Sequence, residues 1–127
     1  MSNQINFTFQ DSDWVPPTSY PDLRNAKEIA IDLETKDPDL KTKGPGWPTN
    51  NGNIIGIAVA TDTFKGYYPV AHEAGGNMDM MMTLKWVQDI CRTDALKVFH
   101  NAVYDIGWLR SMGVTVYGKI ADTMIAA

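Results

Sequence analysis

Glu28-Ile29-Ala30-Ile31-Asp32-Leu33-Glu34 alternates as a β-strand does: Ile29, Ile31 and Leu33 fall on one face, and Ala30, Asp32 and Glu34 on the other. Residues i and i+2 lie roughly 6.5–7 Å apart along a strand, so the Asp32 and Glu34 carboxylates emerge side by side at the end of an apolar strand. Like charges held close raise each other's pKa and cost stability unless a cation sits between them. A divalent metal is the simplest such cation. A solvated strand end carries the same Asp-x-Glu pattern, so the motif alone does not choose between the two.

Working outward, the 127 residues suit one domain, with 44% hydrophobic and 20% charged residues as in ordinary globular chains. No apolar run approaches a membrane span, and the polar start Met1-Ser2-Asn3-Gln4 lacks the charged and apolar regions of a signal peptide. A cytoplasmic location is expected, in keeping with a single cysteine, Cys91, that fits a core position. The formal net charge of −4 argues against a protein that coats nucleic acid by phosphate neutralisation alone. An acidic chain can still act on nucleic acid when its negative charge is gathered in a site that fills with Mg²⁺.

Residues 1–26, with Pro16, Pro17 and Pro21, have no sustained periodicity and suggest an extended arm anchored by Trp14, Val15 and Tyr20, or else a flexible leader. The domain proper is expected over 27–127. After the first strand, residues 36–52 contain three prolines and three glycines, which argues against any regular element. Lys36, Lys41 and Lys43 of this loop could meet a phosphate chain, or be incidental surface charge. Residues 54–61 suggest a second strand whose small face, Gly56, Ala58 and Ala60, implies close approach by a helix or backbone. Residues 65–71 would return as a third, completing an antiparallel meander.

A helix capped by Asn77 is expected next, with Asp79 in its first turn, Arg92 in its last, and Met80, Leu84, Val87 and Cys91 as one apolar stripe. Residues 95–99 read as a buried fourth strand. A second helix should start near His100 or Asn101 and stop at Gly113. On it Asn101, Asp105 and Trp108 share a face at i, i+4 and i+7, while Ala102, Ile106 and Leu109 form a core stripe. A capping Asn and a surface Asp would give the same spacing. Residues 122–127 suggest a cap and the opening turn of a third helix, and a chain ending there suggests truncation.

Ala30-Ile31-Asp32-Leu33-Glu34-Thr35 resembles the first motif of the ribonuclease-H-like 3′–5′ exonucleases with four catalytic acids, and Val98-Phe99-His100-Asn101-Ala102-Val103-Tyr104-Asp105 resembles the second. Tyr68-Pro69-Val70-Ala71-His72 and Ala121-Asp122-Thr123-Met124 are similar to the proofreading domain of family A DNA polymerases, particularly bacteriophage ones. The resemblance runs from about residue 12 to the end. It implies an α/β ribonuclease-H-like mixed sheet: a three-strand antiparallel meander, then helix, strand, helix and strand, incomplete at the C-terminus.

The resemblance further implies two-metal hydrolysis of phosphodiesters at the 3′ end of single-stranded DNA, using two Mg²⁺ or Mn²⁺ ions. Asp32, Glu34 and Asp105 would be the catalytic and metal-binding acids. Thr35, His100, Asn101 and Tyr104 match positions that contact the 3′ strand, and Asp122 is expected to cap a helix instead of binding metal. The partner would be a polymerase domain, in the same chain or a separate one, and no membrane. The family's third motif, Tyr-x-x-x-Asp, is missing, because Tyr117 is followed four residues later by Ala121. Weak or absent nuclease activity is therefore expected of the isolated chain. The alternative is a non-catalytic module of the same fold, a scaffold or partner-binding unit that could pair with itself through an uncovered apolar surface.

Overall fold

The structure, a computed structural model, describes residues 17 and 19–124. Its centre is β1 (Glu28–Lys36), the strand on which Asp32 and Glu34 sit. β2 (Asn53–Ala60) and β3 (Lys65–Pro69) follow as an antiparallel meander. β4 (Leu96–Phe99) then pairs with β1 in parallel, and β5 (Ile120–Asp122) with β4. The resulting order β3-β2-β1-β4-β5 is a mixed five-stranded sheet, the α/β architecture expected of a ribonuclease-H-like fold. Parallel neighbours need crossovers, and two helices supply them: α2 (Met80–Cys91) before β4 and α3 (Ala102–Ser111) before β5.

The two faces of β1 have different fates. Ile29 and Ile31 are buried with Ile57, Val59 and Tyr68 of the neighbouring strands, and α2 covers this face with Trp86, Val87, Ile90 and Cys91. Trp86 lies 4.6 Å from Tyr68 and 5.6 Å from Tyr20, ring centre to ring centre, which ties residues 19–23 onto the same layer. The Trp86 indole donates to the Pro21 carbonyl at 2.7 Å, and the Tyr68 hydroxyl to the Ser19 carbonyl at 2.9 Å. Tyr20 is thus packed as an anchor would be, while Trp14 and Val15 lie outside the described residues. On the opposite face Ala30 is buried but Asp32 and Glu34 are open, and α3 packs beside them.

Several local expectations need correction. α2 is capped by Asp79, whose carboxylate accepts from the Met82 N–H at 2.9 Å. Asn77 instead clamps the His72 backbone, accepting from its N–H at 2.7 Å and donating to its carbonyl at 3.0 Å. Asp79 wins because it sits at the β-to-helix transition where an Asx side chain reaches the N3 amide. The buried stripe of α2 is Thr83, Trp86, Val87, Ile90 and Cys91, so Met80 and Leu84 stand at its edge and not in its middle.

The loop after β1 is not devoid of regular structure either. It holds α1 (Leu40–Lys43) and a 3₁₀ turn (Trp47–Thr49), since Pro38 and Pro48 each lie where a helical turn begins and Gly44 and Asn50 end those turns with φ of 79° and 57°. The expected last strand is Ile120–Asp122, so Asp122 ends a strand instead of opening a third helix; residues 125–127 lie outside the described set. Apolar side chains remain open on α3, on β5 and just after it, among them Val103, Ile120 and Met124.

Candidate functional site

β1 and α3 bring Asp32 and Asp105 together. Asp105 sits one turn into α3 and is 3% exposed, so it is not the surface aspartate that helix spacing alone would allow. Burial, then the charge of Asp32, then that of Asp122 push its carboxyl up to about 8, against a weaker pull downward from the Leu33 N–H. Asp32, though open to solvent on one side, is also held above the ordinary carboxylate range, chiefly by partial desolvation, although the Leu33 N–H and His100 favour its ionised form. One Asp105 oxygen, Oδ2, is fully buried with no hydrogen-bond partner among the described residues.

An orphaned carboxylate oxygen beside a second carboxylate is a costly arrangement for a protein alone and a favourable one around a cation. The donors are hard oxygens, the kind that Mg²⁺ and Mn²⁺ prefer. Asp32 and Asp105 therefore fit a divalent ion. Among the described residues, however, no three His, Cys, Asp or Glu side chains are gathered as a metal cluster. Glu34, the third acid of the motifs, has partners of its own. It accepts from the Tyr67 hydroxyl through Oε2, and the same oxygen lies 3.6 Å from His72 Nε2.

The start of α3 is built by a residue from another strand. Asp122 accepts from the Asn101 N–H through Oδ1 at 2.9 Å and from the Ala102 N–H through Oδ2 at 2.8 Å. It is a helix cap, as expected, but of the helix at 102 and from β5. These amides, led by that of Ala102, hold its carboxyl below the usual range. Asn101 adopts a left-handed backbone with φ of 79°, and its side chain makes no capping bond. Its carboxamide is thereby not committed to the helix end, unlike a capping Asn. His100 bonds Thr123 Oγ1 through Nδ1 at 2.8 Å and lies within electrostatic reach of both Asp32 and Asp122.

Thr35 and Tyr104 meet directly, Oγ1 to hydroxyl at 2.8 Å. The Tyr104 hydroxyl also donates to Asp37 Oδ2 at 2.8 Å, so its single proton is used there and Thr35 is the donor in the first bond. Asp37 in turn accepts from the Gly46 N–H with both oxygens at 3.2 Å. Trp47, next along, lies over α3 at Gly107, where an added Cβ would stand 2.4 Å from the indole. The loop between β1 and β2 is thus fastened to the helix that carries Tyr104 and Asp105. The short connection from Asp37 was not legible beforehand: nothing about an Asp-Pro step says that it will reach a tyrosine 67 residues away.

Tyr67 was also missed. The small face of β2 does accept a close neighbour, but that neighbour is a side chain: a Cβ on Gly56 would fall 1.8 Å from the Tyr67 hydroxyl oxygen. Opposite Gly56 across the β1–β2 ladder stands Glu34, where the register slips between Glu34 and Thr35. A period-two count on β3 places Tyr67 on the same face as Asp32 and Glu34, and this was the available signal. All seven candidate residues, Asp32, Glu34, Asp105, Thr35, His100, Asn101 and Tyr104, lie on β1, α3 or the two residues before α3.

No protein-family model matches the chain. A DNA-directed DNA polymerase of Pseudomonas phage M6 is 40% identical to it over 118 residues, an alignment that covers 85% of this chain. The same alignment covers 17% of the polymerase, so the chain spans about a sixth of its relative's length. Across most of its length, then, the chain is similar to one segment of a phage DNA-directed DNA polymerase.

Proposed function

We propose that this domain is a two-metal 3′–5′ exonuclease unit that trims the 3′ end of single-stranded DNA as the proofreading part of a phage DNA polymerase. The observation that carries the proposal is the Asp32–Asp105 pair, with a buried Asp105 oxygen that no donor among the described residues satisfies. The likeness to a polymerase segment supports the setting. Asp32 and Asp105 would hold Mg²⁺ or Mn²⁺ together with Glu34. Bound ions would supply an activated water and charge stabilisation for the departing 3′ oxygen.

The chain's own residues do the rest. Thr35 and Tyr104, locked to each other and to Asp37, offer a fixed ledge beside the acids for the terminal nucleotide. His100 brings positive charge, when protonated, toward a strand that the acids would otherwise repel. The Asn101 carboxamide, which does not cap α3, would contact the same strand. With only three acids in the motifs it carries, the metal site lacks a ligand, and the isolated chain should cleave weakly or not at all. The host-cell cytoplasm and a polymerase domain in the same or a separate chain complete this assignment.

Single-stranded DNA carrying a 3′ fluorophore tests it. Binding followed by anisotropy should strengthen on adding Mn²⁺, and Asp105→Ala should remove the metal-dependent part. Binding indifferent to Mn²⁺ in both proteins would count against the proposal. It would favour the second reading, a non-catalytic module, which the open Val103, Ile120 and Met124 side chains support.

A further inference from the structure

Tyr67, His72 and Asn77 come from β3 and the turn after it, and none of them belongs to the acid motifs, yet they end on one of the acids. The Tyr67 hydroxyl donates to Glu34 Oε2 and lies 2.6 Å from His72 Nε2. A phenol has one proton to give, so with that proton on Glu34 the imidazole must be the donor in the second bond. His72 is itself fixed, because Asn77 both accepts from its N–H and donates to its carbonyl. The result is a directed chain of hydrogen bonds from a pinned histidine through a tyrosine to a carboxylate oxygen.

The sheet is shaped to allow it. Tyr67 is paired with Ala58 in the β2–β3 ladder, whereas Glu34 is paired with Gly56. The ring therefore has to cross β2 diagonally, over Gly56, to reach Glu34. Any Cβ at 56 would collide with the hydroxyl and with ring carbon atoms at 1.8, 2.3 and 2.7 Å. The ladder irregularity between Glu34 and Thr35 falls at this same place.

We infer that Tyr67 and His72 are positioning residues for Glu34, holding Oε2 so that Oε1 is presented to a divalent cation shared with Asp32 and Asp105. This rests on the metal-dependent function proposed above. Glu34 is half exposed and would otherwise sample several rotamers. Holding it in advance is what outer residues do for a metal-binding carboxylate, and their loss commonly weakens metal binding about 10–100-fold.

Mn²⁺ affinity of the native chain, Asp32→Asn, Tyr67→Phe, His72→Ala and His72→Gln, measured by calorimetry or by the loss of free-ion paramagnetic resonance signal, tests the inference. Tyr67→Phe keeps the ring over Gly56 and deletes only the hydroxyl. We expect it and His72→Ala to bind at least about tenfold more weakly, with melting in EDTA unchanged. His72→Gln, whose carboxamide can still donate, should restore most of the affinity. Native-like affinity in Tyr67→Phe, with Asp32→Asn inactive in binding, would overturn the positioning role alone. A His72→Gln protein as impaired as His72→Ala would overturn the donor role of His72. Absence of Mn²⁺ binding by the native chain would overturn both this inference and the function on which it rests.

Discussion

Asp105→Asn should stabilise the metal-free protein while removing its response to metal. In the fold, burial and the neighbouring charges of Asp32 and Asp122 hold the Asp105 carboxyl near 8, against an ordinary value of 3.8. At roughly 1.4 kcal/mol per pH unit, the ionisation that the unfolded chain enjoys at pH 7 disfavours folding by at most about 4 kcal/mol. Relaxation and water entry around the pair reduce this, and we expect about 2 kcal/mol. The sign follows from the folded value lying above the unfolded one. Stability from the protonated group is complete below about pH 4, declines as pH rises, and is gone above about pH 8.

Asparagine keeps the shape, never ionises and still offers an oxygen to the Leu33 N–H. In EDTA, thermal unfolding should therefore place Asp105→Asn about 8 °C above the native chain at pH 8, at roughly 4 °C per kcal/mol for a chain of this size. The gap should close as pH falls to 4. Adding Mg²⁺ or Mn²⁺ should raise the native melting temperature and leave the variant where it was. A variant that melts lower than native in EDTA at pH 8, or a gap that does not change with pH, would refute the electrostatic account of this pair.

Gly107→Ala should destabilise despite alanine's better helix propensity of about 1 kcal/mol, because its Cβ would displace the Trp47 ring. A net loss of about 1–2 kcal/mol in urea titrations is expected, with a red shift of tryptophan emission as the loop lifts from α3. Asp122→Ala removes the acceptors for the Asn101 and Ala102 amides, and faster hydrogen exchange at the first turn of α3 should report it. In the native chain the lowered Asp122 carboxyl favours folding above the ordinary carboxylate range, and this contribution should vanish as pH falls through the folded value. Gly56→Ala should expel Tyr67 from Glu34, and its raised phenol pKa should fall toward 10 in ultraviolet titration.

The strands and the two long helices were legible because their apolar spacing is set by what the backbone buries, as at Ile29, Ile31, Val87 and Leu109. The turns were harder. Asn77 and Asp79 are both good caps, and only the path of the chain out of β3 puts Asp79 at the helix and Asn77 around His72. Asp122 could be read as a cap, but its helix lies some 20 residues earlier in the chain, which sequence distance conceals.

The candidate acids were visible by period, since i and i+2 on β1 and the first turn of α3 need no tertiary knowledge. Their unequal states were not. Nothing local says that Asp105 becomes 3% exposed while Glu34 stays half open, or that Glu34 is taken by a tyrosine two strands away. Thr35, Tyr104 and Asp37 form one network only because the loop between β1 and β2 folds back onto α3. Such contacts depend on register and loop path, quantities that spacing in the sequence does not encode.

Metal uptake at the Asp32–Asp105 pair tests the central claim most directly. Calorimetric titration of Mn²⁺ into the native chain, Asp32→Asn and Asp105→Asn should show saturable binding in the first and none in the other two. Equal heats in all three, or no binding by the native chain at neutral pH, would contradict the claim that these carboxylates are brought together for a divalent ion.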